Sequence, residues 1–270
     1  MKPVRHARPL VLRVLPGRLK MAIFARWYRR TGSARASLYE AATLDVARHV
    51  TMELVPGDVI SDSIAFTGVY EPRLTRRIHD LARRGGTLVD VGANLGYFSL
   101  VWAAVRPDNR VLAFEASPRN IGILRRNIAR NGFERRIEVF PFAAGAVAGK
   151  APFDLGPVDQ TGWGGFAPST TAASVEVDVV RIDDIARPGE VITLLKIDVE
   201  GAEAWALMGC EQLLKRRGVR EIWYEQNKPR MRALGIPLDA AQAYLRSVGY
   251  HALARGDAGA DVVEWSATPR

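Results

Sequence analysis

The segment TLVDVGANLGYFSL at 87–100 restricts the fold of this 270-residue chain more than any other stretch. An apolar, β-branched run leads to Asp90, glycines follow at 92 and 96, and a helical pattern covers 95–105. This reads as a buried strand passing through a tight turn into a helix. Without a Cβ at Gly92 and Gly96, a ligand can approach the backbone closely, and amides at the helix start point into the crevice. In an open α/β sheet the ligand crevice lies at the carboxyl ends of the strands, which is where this turn falls.

From residue 85 onward the alternation continues. Strand-like runs occupy 110–115 (RVLAFE), 136–140, 193–199 (TLLKIDV), 219–225 (VREIWYE), 250–253 and 262–265. Helical patterns fill 118–131, 202–217 and 238–248, the first framed by Ser117 as cap, Pro118 at the first helical position and Asn131-Gly132 as the stop. Strands alternating with helices of this length predict an α/β parallel sheet with helices on both faces. Two stretches depart from the pattern. Residues 49–84 predict a small β-hairpin (TMELV, DVISD, AFTGVY) followed by a helix. Residues 144–180, rich in Gly, Ala, Ser and Thr with GWGG at 162–165, predict an excursion beside the active site.

Charge divides the chain in two. Residues 1–39 carry ten basic side chains and no acid, whereas 40–270 hold 28 basic and 29 acidic residues. We therefore separate a basic arm, 1–48, from a near-neutral body, 49–270, and the high isoelectric point gives no argument for nucleic acid. Within the arm, Leu19, Ala22, Ile23 and Trp27 share a helical face bordered by Arg18, Lys20, Arg26, Arg29 and Arg30. Such a helix either lies on an anionic membrane through residues 1–35 or packs its stripe on the body. Charges at Arg13, Arg18 and Lys20 interrupt any secretory or membrane-spanning run. The lone Cys210 allows no internal disulfide and no cysteine zinc cluster, consistent with a reducing compartment. The expected location is the cytoplasm, with the arm as candidate for peripheral contact at the inner face of the membrane.

The turn also indicates a ligand class. A dinucleotide site prefers G-x-G-x-x-G, but this chain has D-x-G-x-N-x-G, with Asn94 at a middle glycine and Asp90 two positions before Gly92. A pyrophosphate gains nothing from that acid, whereas a cofactor with a free ammonium group, such as S-adenosylmethionine (SAM), does. The next strand ends in Glu115, where a carboxylate can accept both hydrogen bonds of a ribose diol.

The motifs TGVYE (67–71), VDVGANLGYFS (89–99), FEASPRN (114–120), RRNIARNG (125–132), LKIDVEGAEAWALMGC (195–210) and WYEQ (223–226) together resemble the FkbM family of SAM-dependent methyltransferases. The resemblance implies the class I methyltransferase Rossmann-like fold, seven strands parallel except for one, here with an N-terminal helical and β-hairpin extension. It also implies O-methylation of a natural-product, sugar, glycan or glycolipid hydroxyl. By position, Asp90, Gly92, Asn94 and Gly96 would hold the methionine part of SAM and Glu115 the ribose, with Glu71 near the amino-acid end. FEAS stands where the family more often shows FEPS.

An alcohol acceptor must lose its proton as its oxygen attacks. None of the four histidines falls at the carboxyl end of a central strand, but Asp198, Glu200 and Glu225 do, and they are the catalytic candidates. The same oxygen ligands could instead hold Mg²⁺. Glu203 reads as a helix N-terminal stabiliser. Tyr70, Trp163 and Phe166 are candidates to line an acceptor pocket. A competing expectation is a catalytically silent protein that docks on a membrane or acidic partner through its arm. A nucleic-acid methyltransferase is disfavoured because Asp198-Val199-Glu200-Gly201 stands where an Asn-Pro-Pro-Tyr motif would.

Overall fold

The computed structural model describes residues 39–170 and 174–270, together with Leu15, Leu19, Lys20, 22–24 and Arg26. A short antiparallel pair, β1 (Ala41–Thr43) and β2 (Thr51–Glu53), comes first, followed by α1 (Val59–Thr67) and α2 (Pro72–Ala82). The expected hairpin therefore pairs residues 51–53 with 41–43, and 59–67 is helical instead of extended. Asp58 explains the difference: its side chain caps the helix by accepting from the Ser61 N–H at 2.8 Å.

The core alternates β3 (Thr87–Val91), α3 (Tyr97–Val105), β4 (Arg110–Phe114), α4 (Pro118–Arg130) and β5 (Ile137–Phe140). The excursion then supplies β6 (Ala143–Ala144), β7 (Gly149–Asp154), β8 (Gly165–Phe166) and β9 (Ser174–Val180). After α5 (Ile182–Ile185) come β10 (Ile192–Ile197), α6 (Glu203–Met208), α7 (Glu211–Lys215), β11 (Ile222–Asn227), α8 (Lys228–Ala233), α9 (Ala240–Ser247), β12 (Tyr250–Ala254) and β13 (Val262–Pro269). The seven-stranded sheet has the order β12-β13-β11-β10-β3-β4-β5, with β13 alone running against the other strands. The excursion forms a second sheet, β6-β9-β7-β8.

Alternation along the strands sends side chains to two apolar layers. Leu88, Leu194 and Trp223 pack with Ile78, Leu100 and Trp102 on one face, while Val89, Leu195 and Ile197 pack with Leu207 and Leu214 on the other. Each fully buried aliphatic side chain contributes about 1.5–3 kcal/mol. The helix expected over 202–217 is broken between α6 and α7. Gly209 lies against the Gly145 carbonyl, where a Cβ would stand 2.3 Å from that oxygen. Asp183 caps the new helix start by accepting from the Gln212 and Leu213 N–H groups.

In the described part of the arm, the expected stripe does not face the body. Leu19 and Ile23 are exposed, while Lys20 and Phe24 are buried, Lys20 paired with Asp45 and Phe24 stacked 6.1 Å from Phe66. The aromatic cluster of Phe24, Tyr39 and Phe66 selects that face. Trp27 and the remaining arm residues, on which the membrane expectation rests, lie outside the described residues.

Candidate active site

The turn after β3 needs glycine at its first position. Gly92 has φ 74°, and a Cβ there would stand 1.8 Å from the Asp198 backbone oxygen, so the two strand ends touch main chain to main chain. The Gly92 and Ala93 N–H groups both donate to the Phe114 carbonyl at 2.9 Å, tying the turn to β4. Asn94 follows with φ 52°, and its N–H donates to Glu115 Oε2 at 2.7 Å. Glu115 Oε1 accepts from the Ser117 N–H at 2.8 Å. Burial pushes the Glu115 carboxyl up to about 7 even though these amides pull it down.

Above this turn is a cavity of about 640 Å³, within the range of small-molecule sites. The carboxyl ends of β3, β4, β10 and β11 form its floor. The excursion forms its roof through Phe153, Thr161, Trp163 and Phe166. The roof is fastened at several points. Asp58 Oδ1 accepts from the Thr161 N–H at 2.9 Å, Asn120 Nδ2 donates to the Thr161 carbonyl at 3.0 Å, and Arg230 donates to the Trp163 carbonyl.

The three catalytic candidates meet on one wall. Asp198, Glu200 and Glu225 each bring a carboxylate oxygen within 4.8 Å of the others. Glu200 has φ 55°, a backbone that side chains other than glycine seldom adopt, and accepts from Asn227 Nδ2 at 2.6 Å. Burial, then the charge of Asp198, raises Glu200 to about 7, against the pull of Arg230 and Asn227. Burial and the neighbouring acids raise Glu225 further, to about 9, so it is protonated at neutral pH. Glu71 is raised to about 7 by burial and by Asp198.

Lys196 is the functional residue that sequence reasoning missed. Only 3% of its side chain is exposed, and Nζ donates to the Gly92 carbonyl at 2.9 Å, 3.3 Å from Asp90 Oδ1 and 3.6 Å from Asp198 Oδ2. Burial alone would lower its pKa, but Asp90, Asp198 and Glu71 overcome that and raise it, so the ammonium stays charged. One buried cation thus joins the glycine turn to the acid wall. The signal was a lysine within the otherwise apolar TLLKIDV, since a charge inside a central strand requires a partner.

Gly92, Asn94, Glu115, Asp198, Glu200 and Glu225 border the cavity, as do Tyr70, Trp163 and Phe166. Asp90, Gly96 and Glu71 are not among its lining residues. Asp90 is wholly buried beneath the turn, accepting from Ser99 Oγ at 2.7 Å and facing Lys196, so it supports the turn instead of presenting itself to a ligand. Gly96 starts α3 with φ 94° against Leu124, and Glu71 acts on the acid wall through its charge. Glu203 accepts from the Gly201 N–H at 2.8 Å and so serves the turn into α6. No histidine lines the cavity among the described residues.

The family model for the methyltransferase FkbM domain matches residues 90–252, more than half of the chain. Methyltransferase sdnD of Sordaria araneosa is 28% identical over 226 residues, covering 68% of this chain and 87% of its own. The 31-O-demethyl-FK506 methyltransferase FkbM of Streptomyces tacrolimicus is 32% identical over 161 residues, covering 48% of this chain and 61% of its own. Among solved structures, methyltransferase FkbM from Methylobacillus flagellatus KT aligns with a TM-score of 0.48 at 18% identity, over 93% of this chain and 59% of that one. The O-methyltransferase from Bacillus cereus in complex with SAH aligns with a TM-score of 0.44 at 16% identity, over 74% and 82%.

Proposed function

The chain belongs to the FkbM methyltransferase family, and from that premise we propose that it is a SAM-dependent O-methyltransferase acting on a hydroxyl of a natural product, sugar, glycan or glycolipid. The observation that carries this reading is the shared cavity, with Asn94 and Glu115 at one end and three carboxylates at the other. The residues present fit the cofactor. Asn94 Oδ1 and Thr161 Oγ1 are buried without hydrogen-bond partners and belong to residues lining the cavity. Groups of this kind require an external partner. The name of the Streptomyces relative places its methyl group on oxygen, and that supports the choice of acceptor atom here.

SAM, when bound, supplies an electrophilic methyl group on a sulfonium. The contribution of this chain is orientation and proton removal. Glu115 would accept from the ribose diol, and Asn94 Oδ1, the unpartnered acceptor of the turn, would take the ammonium of the amino-acid end. Glu200 is the general base: a carboxylate raised to about 7 is poised near working pH, where proton transfer is most effective. Glu225, protonated at neutral pH, donates a hydrogen bond to the acceptor. Alignment of reacting groups contributes roughly 7–11 kcal/mol in well-oriented systems.

The test is transfer of labelled methyl from SAM to a panel of sugar and polyketide alcohols, with products located by mass spectrometry and NMR. Methyl on oxygen is the expected product, and methyl on nitrogen or carbon overturns the reading. The same acids favour a second use as ligands of Mg²⁺. Activity that survives EDTA and is not raised by magnesium excludes that use.

A further inference from the structure

Beside the acid wall, the same sheet face carries a groove of opposite charge. Strand register sets Asp90, Lys196, Trp223 and Ser266 side by side across β3, β10, β11 and β13. Trp223 precedes Glu225 by two residues, about 7 Å along β11. Around Trp223 stand Arg73, Arg76 and Arg77 of α2 and Arg255 from the turn after β12, with Asp80 at the edge. This groove shares no lining residue with the cavity.

Three of the four arginines are fixed by contacts that use only part of their donor set. Arg77 makes a bidentate pair with Glu221, through Nε at 2.8 Å and Nη2. Arg73 donates through Nη1 to the Arg255 carbonyl. Arg255 donates through Nε to Ser266 Oγ at 2.6 Å, and its guanidinium lies 5.8 Å from the centre of the Trp223 ring. A guanidinium offers five N–H donors, so each retains several. Arg76 is exposed and has no hydrogen-bond or ion-pair partner among the described residues. The indole N–H of Trp223, a residue only 5% exposed, is buried without an acceptor. Pre-fixed guanidinium groups beside an unsatisfied buried donor form a receptor for an oxyanion, and planar forks suit phosphate.

We propose that this groove binds a phosphate group, carried either by a soluble ligand or by a lipid head. The proposal is independent of the methyl-transfer reading. The experiment titrates the full chain with inorganic phosphate, followed by phosphorus NMR and thermal denaturation, against sodium chloride at equal ionic strength. Wild type is expected to broaden the phosphate line and to gain melting temperature in phosphate beyond the gain in chloride. Arg76→Ala and Arg255→Gln, separately and together, are expected to lose both responses while keeping the wild-type circular dichroism spectrum. Trp223→Phe, which deletes only the indole donor, is expected to weaken them. Equal responses in chloride, or responses unchanged in the double variant, overturn the proposal. Flotation with phosphatidic acid vesicles that the double variant loses assigns the phosphate to a lipid. Phosphate binding without such flotation assigns it to a soluble ligand.

Discussion

Replacing Lys196 with methionine is expected to destabilise the fold by about 3–5 kcal/mol, the usual cost of removing one member of a buried ion pair. Methionine fills a similar volume, so the loss is electrostatic and not a cavity effect. Asp90, wholly buried, keeps only Ser99 as a donor once the ammonium is gone, and the Gly92 carbonyl loses its tether. The double-mutant cycle identifies the cause. Asp90→Asn retains a partner for Ser99 but removes the orphaned charge, so the Asp90→Asn/Lys196→Met pair is expected to recover much of the loss, with a coupling energy of roughly 0.5–3 kcal/mol. Melting of the four proteins at neutral pH measures it. Strict additivity would mean that Lys196 does not hold Asp90, and the account of the turn would fail. SAM affinity is expected to fall in Lys196→Met as well, because the turn that presents Gly92 and Asn94 rests on that ammonium.

The second large effect is on catalysis. Glu200→Gln is expected to lower kcat by roughly 10²–10⁴-fold, the usual contribution of a positioned general base, while leaving SAM binding near wild type. Glutamine keeps an oxygen for Asn227, so the turn is preserved. The pH dependence carries the sign. A base works only when ionised, so wild-type kcat/KM should rise with pH until Glu200 loses its proton near 7 and then level off. That limb should be missing from the residual activity of Glu200→Gln. The limb remaining in Glu200→Gln and disappearing in Asp198→Asn would transfer the base to Asp198.

The scaffold was legible in the sequence because its signals are local. Asp90 to Gly96 mark a strand-turn-helix, and each later strand carries enough apolar residues to declare itself. The one antiparallel strand was implied by the family resemblance and is β13, whereas the meeting of Asp198, Glu200 and Glu225 follows from their places at the carboxyl ends of neighbouring strands. What was not legible depends on distant partners. Residues 59–67 alternate like a strand, but the Asp58 cap and their packing under the roof make them a helix. The excursion hides a four-stranded sheet because two of its strands are only two residues long. Asp90, expected from the sequence at the cofactor's amino group, is buried against Lys196, 106 positions away in the chain and adjacent only through strand register. The arginine groove brings α2 beside the β12–β13 connection, a juxtaposition that no window of sequence contains.

The central claim is that the cavity over Gly92 receives SAM with Glu115 on its ribose. Isothermal titration calorimetry of the full chain with SAM, wild type beside Glu115→Ala, tests it most directly. The account predicts one saturable site in wild type and a loss of about 1.5–3 kcal/mol in Glu115→Ala, the contribution of hydrogen bonds to a charged group. Absence of heat with wild type, or equal affinity in the two proteins, would contradict it.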